Sequence, residues 1–351
     1  MRVLICIATM EAGGAERQVT YLAKALVEAG EDVHVALIKG GVNLDRLMAS
    51  GATAHFVDMY PQSFRFVVPL ARLLRRVRPD ILYLWQRPFD VLGALACVGS
   101  GTACVHAERT DPARVPRGIK AGLRRLLMPF ASGVISNSEA GRAYWLDRRR
   151  LRGRVATIPN IVPIDELAAV VAAEMPTEGA IAVGRLDSSK NVLTLVEAVA
   201  SLKRLGTVVP LSIVGEGPLF SALDALVADA GLRDHVTLCG YRNDVWSLMK
   251  GSSVFVSLSR YEGEPNVVLE AAALGCRLLL SDIPAHRSLL PADGAIFVNP
   301  DSVEEVAAGL RDALQAGPGE ATGAGRLVRD RSAAVVAQRH IAFFHQVLAA
   351  R

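Results

Sequence analysis

The feature that most constrains this chain is a rhythm that runs through it twice: short β-branched and apolar runs, each followed by a longer stretch of helical periodicity. In the first half such runs fall at 2–8, 33–38, 54–57, 81–84, 103–105, 134–136 and 155–158. In the second they fall at 180–184 (AIAVG), 211–215 (LSIVG), 236–240 (VTLCG), 254–258 (VFVSL), 277–281 (RLLLS) and 295–298 (AIFV). Strands buried on both faces read as near-continuous apolar runs, and their alternation with helices calls for parallel pairing through crossovers. The spacing therefore predicts an α/β protein made of two tandem Rossmann-like domains with parallel sheets. At 351 residues the chain also exceeds the size at which one core usually keeps growing. The periodicity breaks at IPNIVPIDEL, 158–167, which sets domains of 1–163 and 164–330. GPGEATGAG at 317–325 then leads into a helix over 332–350, within a last segment, 331–351, expected to pack back toward the first domain. Two such domains leave a cleft at the carboxyl ends of their strands, where open α/β sheets bind ligands.

Composition narrows the class. Hydrophobic residues at 51% against 21% charged exclude a disordered chain. The longest apolar stretch, 91–105, is cut by GSG at 99–101 and falls short of the roughly 20 residues a spanning helix needs. VLICIA, following the first two residues, reads as a first strand rather than a signal core. Five cysteines without a C-x-x-C pair and seven scattered histidines indicate a reducing cytoplasm, and no metal site or cofactor is expected. The net charge of +4 divides unevenly: residues 1–160 hold 23 Lys and Arg against 13 Asp and Glu, and residues 161–351 hold 16 against 22. A half near +10 beside one near −6 suits an anionic partner for the first half, such as a membrane surface; solvated helix charges give the same balance. PRGIKAGLRRLLMPF at 116–130 carries the same two readings, as a basic amphipathic helix on a bilayer or one packed on the sheet. Five arginines between 148 and 154 share them. An aromatic content of 5% leaves few stacking platforms, so no nucleic acid partner is expected.

Three motifs carry chemistry. SRYEGEPNVVLEAAALG at 259–275 follows a strand and opens a helix, with Pro265 near its first position and Glu262 eight residues before Glu270. The amides of Asn266, Val267 and Val268 then point out of the helix start, which with the macrodipole makes an anion site beside a carboxylate able to grip hydroxyls. Acids that merely cap a helix fit the same letters. GRLDSSKN at 184–191 supplies two cations, Arg185 and Lys190, which taken alone read as surface charges. No D-x-D occurs in the chain. MEAGGAER at 10–17 places Gly13 and Gly14 after the first strand, where backbone can approach a phosphate closely; it lacks the full G-x-G-x-x-G.

The run at 259–275 resembles the E-x7-E signature of retaining glycosyltransferase family 4, E-G-x-P-x-V-x-L-E-A-x-A-x-G, with Glu264 where a Phe is common. That departure leaves sugar selectivity open. The resemblance implies the GT-B fold, with Glu270 on the donor ribose and Glu262 beside the donor sugar and leaving phosphate. GRLDSSKN resembles the family's G-R-L-x-x-x-K-N loop, which assigns Arg185 and Lys190 to the diphosphate. GGAER resembles a Gly-Gly-x-E-R turn, which puts Gly13 and Gly14 near the acceptor and Gly14 also near the donor. TACVHAERTDP at 102–112 is expected to follow the fifth strand, where members place a His or a Ser-Glu-Arg run against the donor sugar. His106 and Glu108 compete for that place, and Arg109 is assigned to acceptor phosphate. Tyr241 and Arg242, in LCGYRNDV, would border the nucleobase largely through backbone.

The activity implied is metal-independent, retaining transfer of a sugar from a nucleotide diphosphate, UDP by default, to a lipid-linked or saccharide acceptor. Family members with this form of the motif build surface polysaccharides and lipid-linked oligosaccharides, which implies a cytoplasmic enzyme, peripheral at the inner face of the membrane. The donor is a substrate rather than a cofactor, bound mainly by the second domain. The rival readings are a nucleotide-sugar epimerase of the same fold, a non-catalytic sugar-binding regulator, and transfer to a small-molecule natural product. Oligomeric state is not legible in the sequence.

Overall fold

Every apolar run read as a strand lies on one in the computed structural model, which describes residues 1–57, 67–86, 89–109, 122, 131–146, 154–173, 179–316 and 324–350. In the first half β1 (Arg2–Cys6), α1 (Gly14–Glu28), β2 (Asp32–Leu37), α2 (Leu44–Met48), β3 (Thr53–Phe56) and α3 (Val67–Val77) precede β4 (Ile81–Leu84). There follow α4 (Asp90–Ala96), β5 (Ala103–Glu108), β6 (Gly133–Ser136), α5 (Glu139–Leu146) and β7 (Val155–Thr157). The second half begins with α6 (Ile164–Ala168), β8 (Ala180–Val183), α7 (Val192–Arg204), β9 (Leu211–Val214), α8 (Phe220–Asp229) and β10 (Val236–Gly240). It continues through α9 (Val245–Gly251), β11 (Val254–Ser257), α10 (Asn266–Ala273), β12 (Arg277–Ser281), α11 (Pro284–Arg287), β13 (Ile296–Val298), α12 (Val303–Gln315) and α13 (Ala324–Arg329). The last element is α14 (Ala333–Ala349).

Two compact units result, Met1–Ile161 with Arg331–Arg351, and Val162–Asp330. The first holds a parallel sheet in the order β3-β2-β1-β4-β5-β6-β7, the second one in the order β10-β9-β8-β11-β12-β13. Both orders run outward from a central pair, the doubly wound arrangement in which βα crossovers cover both faces.

The period of two along each strand divides the cores. In the first unit Val3, Ile5 and Ile7 pack with Val19, Leu22 and Leu26 of α1 and with Phe344 of α14. Leu4 and Cys6 face the other way, toward Leu70, Leu73 and Leu74 of α3. In the second unit Ala180 and Ala182 face Leu195 and Val199 of α7 and Leu310 of α12, while Ile181 faces Val268 and Leu269 of α10. Each fully buried Leu or Val contributes about 1.5–3 kcal/mol, so Leu22→Asp would disable α1. The side chain of Ser332 accepts the amide of Val335 at 3.4 Å and caps α14, which packs against α1. Phe344 of α14 meets the Tyr83 ring edge-on, with ring centroids 5.6 Å apart.

The amphipathic stretch at 116–130 lies outside the described residues except for Gly122, as does the arginine-rich run except for Arg154. No helix among the described residues is long and apolar enough to cross a membrane.

Candidate active site

The side chains singled out in the second half lie past strand ends, Arg185 and Lys190 after β8, Tyr241 and Arg242 after β10 and Glu262 after β11, with Glu270 in α10. The turn after β8 is built backbone against backbone. Leu186 donates its amide to the Glu216 carbonyl at 2.9 Å, and Leu219 donates to the Leu186 carbonyl at 3.0 Å. Glycine is required for this contact: a Cβ on Gly215 would lie 1.9 Å from the Gly184 carbonyl oxygen, and one on Gly217 would lie 2.4 Å from that of Leu186. Gly215 also holds φ at +138°. Residues 213–218, IVGEGP, thus fix the turn that carries Arg185, whose side chain is 74% exposed, with its Nε 3.7 Å from Asp187.

The same turn is tied to the loop after β11. Arg260 donates to the Ser188 carbonyl at 2.9 Å and to Asp301 at 2.7 and 2.9 Å, and its amide donates to the Ser189 carbonyl at 2.9 Å. These ties bring Lys190 to Glu262, Nζ to Oε1, at 2.5 Å. Their side chains are 25% and 14% exposed, so the pair is partly desolvated yet open to solvent on one side. Ser259 Oγ donates to the same Glu262 oxygen at 2.8 Å. A cavity of about 20 Å³, room for a single water, lies against Lys190, Ser257 and Ser259. Eight residues on, Glu270 is buried in α10 and accepts Trp246 Nε1 at 2.8 Å. Lys190 beside the Glu262 carboxylate suits a polyhydroxylated anion: a carboxylate accepts hydroxyls and a cation holds phosphate.

The helix start departs from the expectation. Val268 donates its amide to the Pro265 carbonyl at 3.1 Å, because the first turn of α10 is tightened by an i to i−3 bond. Its N–H is therefore engaged within the turn. Tyr241 is half exposed beside β10, and Arg242 is held in a two-pronged ion pair with Asp244 at 2.6 and 2.8 Å. Ser259, the brace on Glu262, was not singled out from sequence, since a serine after a strand carries no periodic signal.

In the first unit Gly13 precedes α1 and Gly14 is its first residue. A Cβ on Gly13 would meet the Glu16 carboxylate, whose protonation is favoured by burial. The reading of 102–112 needs correction. The fifth strand does not end at Val105; it runs on to Glu108 because His106 pairs with Leu84 and Val134, and Glu108 with Ser136. His106 and Glu108 are strand residues, 0% and 1% exposed, His106 beside the Cys104 thiol at 3.4 Å and Glu108 accepting Trp145 Nε1 at 3.2 Å. Arg109, just past the strand, lies over the Trp85 ring at 3.3 Å from its centroid and donates to Asn160 Oδ1 at 2.6 Å.

Sequence comparison bears on this arrangement from both halves. Residues 164–322 match the model described as glycosyl transferases group 1, and residues 12–166 match glycosyltransferase family 4. The N-acetylgalactosamine-N,N'-diacetylbacillosaminyl-diphospho-undecaprenol 4-alpha-N-acetylgalactosaminyltransferase of Campylobacter jejuni is 25% identical over 333 residues, 89% of each chain. The UDP-Gal:alpha-D-GlcNAc-diphosphoundecaprenol alpha-1,3-galactosyltransferase of Escherichia coli is 30% identical over 250 residues, 65% of this chain and 64% of that one. The Anabaena HepE protein, solved with UDP and glucose, superposes with a TM-score of 0.84 at 18% identity, over 99% of this chain and 100% of that one. The chain belongs to the family 4 glycosyltransferases, with the two-domain α/β fold known as GT-B.

Proposed function

We propose that this glycosyltransferase moves a sugar from a UDP-sugar to a lipid-linked or saccharide acceptor in cell-surface polysaccharide or glycoconjugate assembly, with retention of anomeric configuration and without a metal ion. The observation that carries it is the Lys190–Glu262 pair at 2.5 Å, set in the loops that follow β8 and β11. The C. jejuni and E. coli relatives are named for diphospho-undecaprenol acceptors, the E. coli one also for UDP-Gal, and HepE was solved with UDP. Those names favour transfer over epimerisation or a regulatory role.

On this reading Glu270 accepts the ribose hydroxyls, and Tyr241 and Arg242 border the base. Arg185, Lys190 and the amides of Asn266 and Val267 hold the diphosphate, and Glu262 lies beside the donor sugar. In the reaction the bond from the sugar C1 to the β-phosphate oxygen breaks, and the acceptor oxygen bonds C1 on the same face. The acceptor proton passes to the departing phosphate oxygen. Negative charge grows on the leaving diphosphate as that bond breaks, and cations fixed before the reaction stabilise it without reorganising. Gly13, Gly14 and Arg109 serve the acceptor side, and the basic first half suits an anionic membrane surface at the cytoplasmic face.

Proton NMR of the first-formed product tests the reading through the anomeric coupling. An inverted anomer, or activity abolished by a chelator and restored by a divalent ion, overturns it. Vesicle flotation with and without anionic lipid tests the membrane association, and equal recovery counts against it.

A further inference from the structure

The Glu262 carboxylate is held by more than Lys190, and the chain of contacts behind it leads to a histidine that no motif singles out. Ser259 donates its hydroxyl to Glu262 Oε1 at 2.8 Å, and the Ser259 carbonyl in turn accepts the hydroxyl of Ser281, at the end of β12, at 2.6 Å. His286 Nδ1 stands 3.0 Å from Ser281 Oγ and 3.0 Å from the Ser281 carbonyl oxygen. The carbonyl only accepts, and the Ser281 hydroxyl has given its hydrogen to Ser259, so Nδ1 carries the proton and donates to both. The three links are sealed from water: Ser259 is 1% exposed and Ser281 and His286 are 0% exposed.

The far side of the ring is informative. His286 Nε2 is buried and has no hydrogen-bond partner among the described residues. A position that served packing alone would favour an apolar side chain over one that leaves a ring nitrogen unpaired in the core. Burial pushes the imidazole below its usual range, with Glu262 opposing that shift and Lys190 adding to it, and the neutral ring keeps Nδ1 as its single N–H. The short helix that bears it is clamped as well. Arg287 makes a two-pronged ion pair with Asp282 at 2.7 and 2.8 Å and lies over the Phe297 ring at 3.9 Å.

We infer that His286 is a positioning residue for sugar transfer: through Ser281 and Ser259 it fixes the place of the Glu262 carboxylate, and with it Lys190. The inference rests on the reading of Glu262 as a donor-site group. It touches no substrate itself. A misplacement of about 1 Å at a reacting group costs on the order of 100-fold in rate, so a relay that holds a carboxylate from behind is felt in turnover.

The variants are His286→Leu, which removes the Nδ1 donor, and His286→Asn, whose amide nitrogen occupies the place of Nδ1. His286→Leu is expected to lower kcat by about tenfold or more, with donor KM within about threefold and the melting temperature nearly retained. His286→Asn should recover most of the loss, and His286→Leu added to Ser281→Ala should cost nothing beyond Ser281→Ala alone, since both cut one chain. Wild-type kcat in His286→Leu, additive losses in the double variant, or no recovery with Asn each overturn the inference. If His286→Leu fails to fold, Ser281→Ala decides, and wild-type kcat in that variant overturns it too. Wild-type protein without turnover on any UDP-sugar and lipid-linked acceptor sinks the transfer reading instead. In that case crystal structures of wild type and Ser281→Ala settle the relay: a Glu262 carboxylate that keeps its place overturns it.

Discussion

Replacing Lys190 by Met keeps the length of the side chain and removes its charge. Two losses follow, and the structure separates them. The first is to stability: the 2.5 Å contact with Glu262 joins side chains 25% and 14% exposed. An exposed pair is worth at most about 1 kcal/mol, and breaking a fully buried one costs about 3–5 kcal/mol. At this partial burial, and with Ser259 still donating at 2.8 Å, about 2 kcal/mol is expected. That corresponds to a fall of about 4–8 °C in the melting temperature for a domain of this size. The second loss is to catalysis. Removing a fixed donor that faces charge developing in the transition state costs about 10²–10³ in kcat. Initial rates of nucleoside diphosphate release, measured with saturating donor and acceptor beside a melting curve of each protein, report both. A variant that melts earlier as expected but keeps kcat within about threefold of wild type refutes the argument. Lys190 would then neutralise Glu262 and do nothing to the leaving group.

Glu270→Gln keeps an oxygen for Trp246 Nε1 but removes the charge that strengthens a hydroxyl contact, so donor KM should rise by about tenfold. An unchanged KM together with an unchanged nucleotide-induced thermal shift would separate Glu270 from the donor. Gly217→Ala sets a Cβ 2.4 Å from the Leu186 carbonyl oxygen and 2.7 Å from its nitrogen and carbonyl carbon, all backbone atoms. The turn must shift, at about 1–3 kcal/mol, and a denaturation midpoint equal to wild type would contradict the contact. His340, wholly buried in α14, has its pKa lowered by burial from 6.5 to about 3. Below about pH 6.5 the unfolded chain takes up a proton that the folded one refuses, so stability falls with pH, by about 1 kcal/mol from this group between pH 6.5 and 5.5. His340→Phe should flatten that part of the stability curve, and an unaltered slope in urea titrations across it goes against the assignment.

The alternation of apolar runs with helical stretches was enough to set the fold class. Apolar runs spaced by helical stretches allow few arrangements besides parallel sheets covered on both faces, because handed crossovers and buried strands leave little choice. Likewise Glu262 and Glu270 are legible because both belong to one strand-loop-helix unit, where local spacing sets position. Lys190 was legible as a cation, but its partner was not, since the contact joins loops 72 residues apart. The limits of strand β5 belong to tertiary structure in the same way. Nothing local stops a strand at Val105, and pairing with β4 and β6 carries it on to Glu108, burying His106 and Glu108 together. The brace on Glu262 is the clearest case. Ser259, Ser281 and His286 carry no pattern in the sequence, and hydrogen bonds between neighbouring strand ends, which exist only once the sheet has formed, make them a unit.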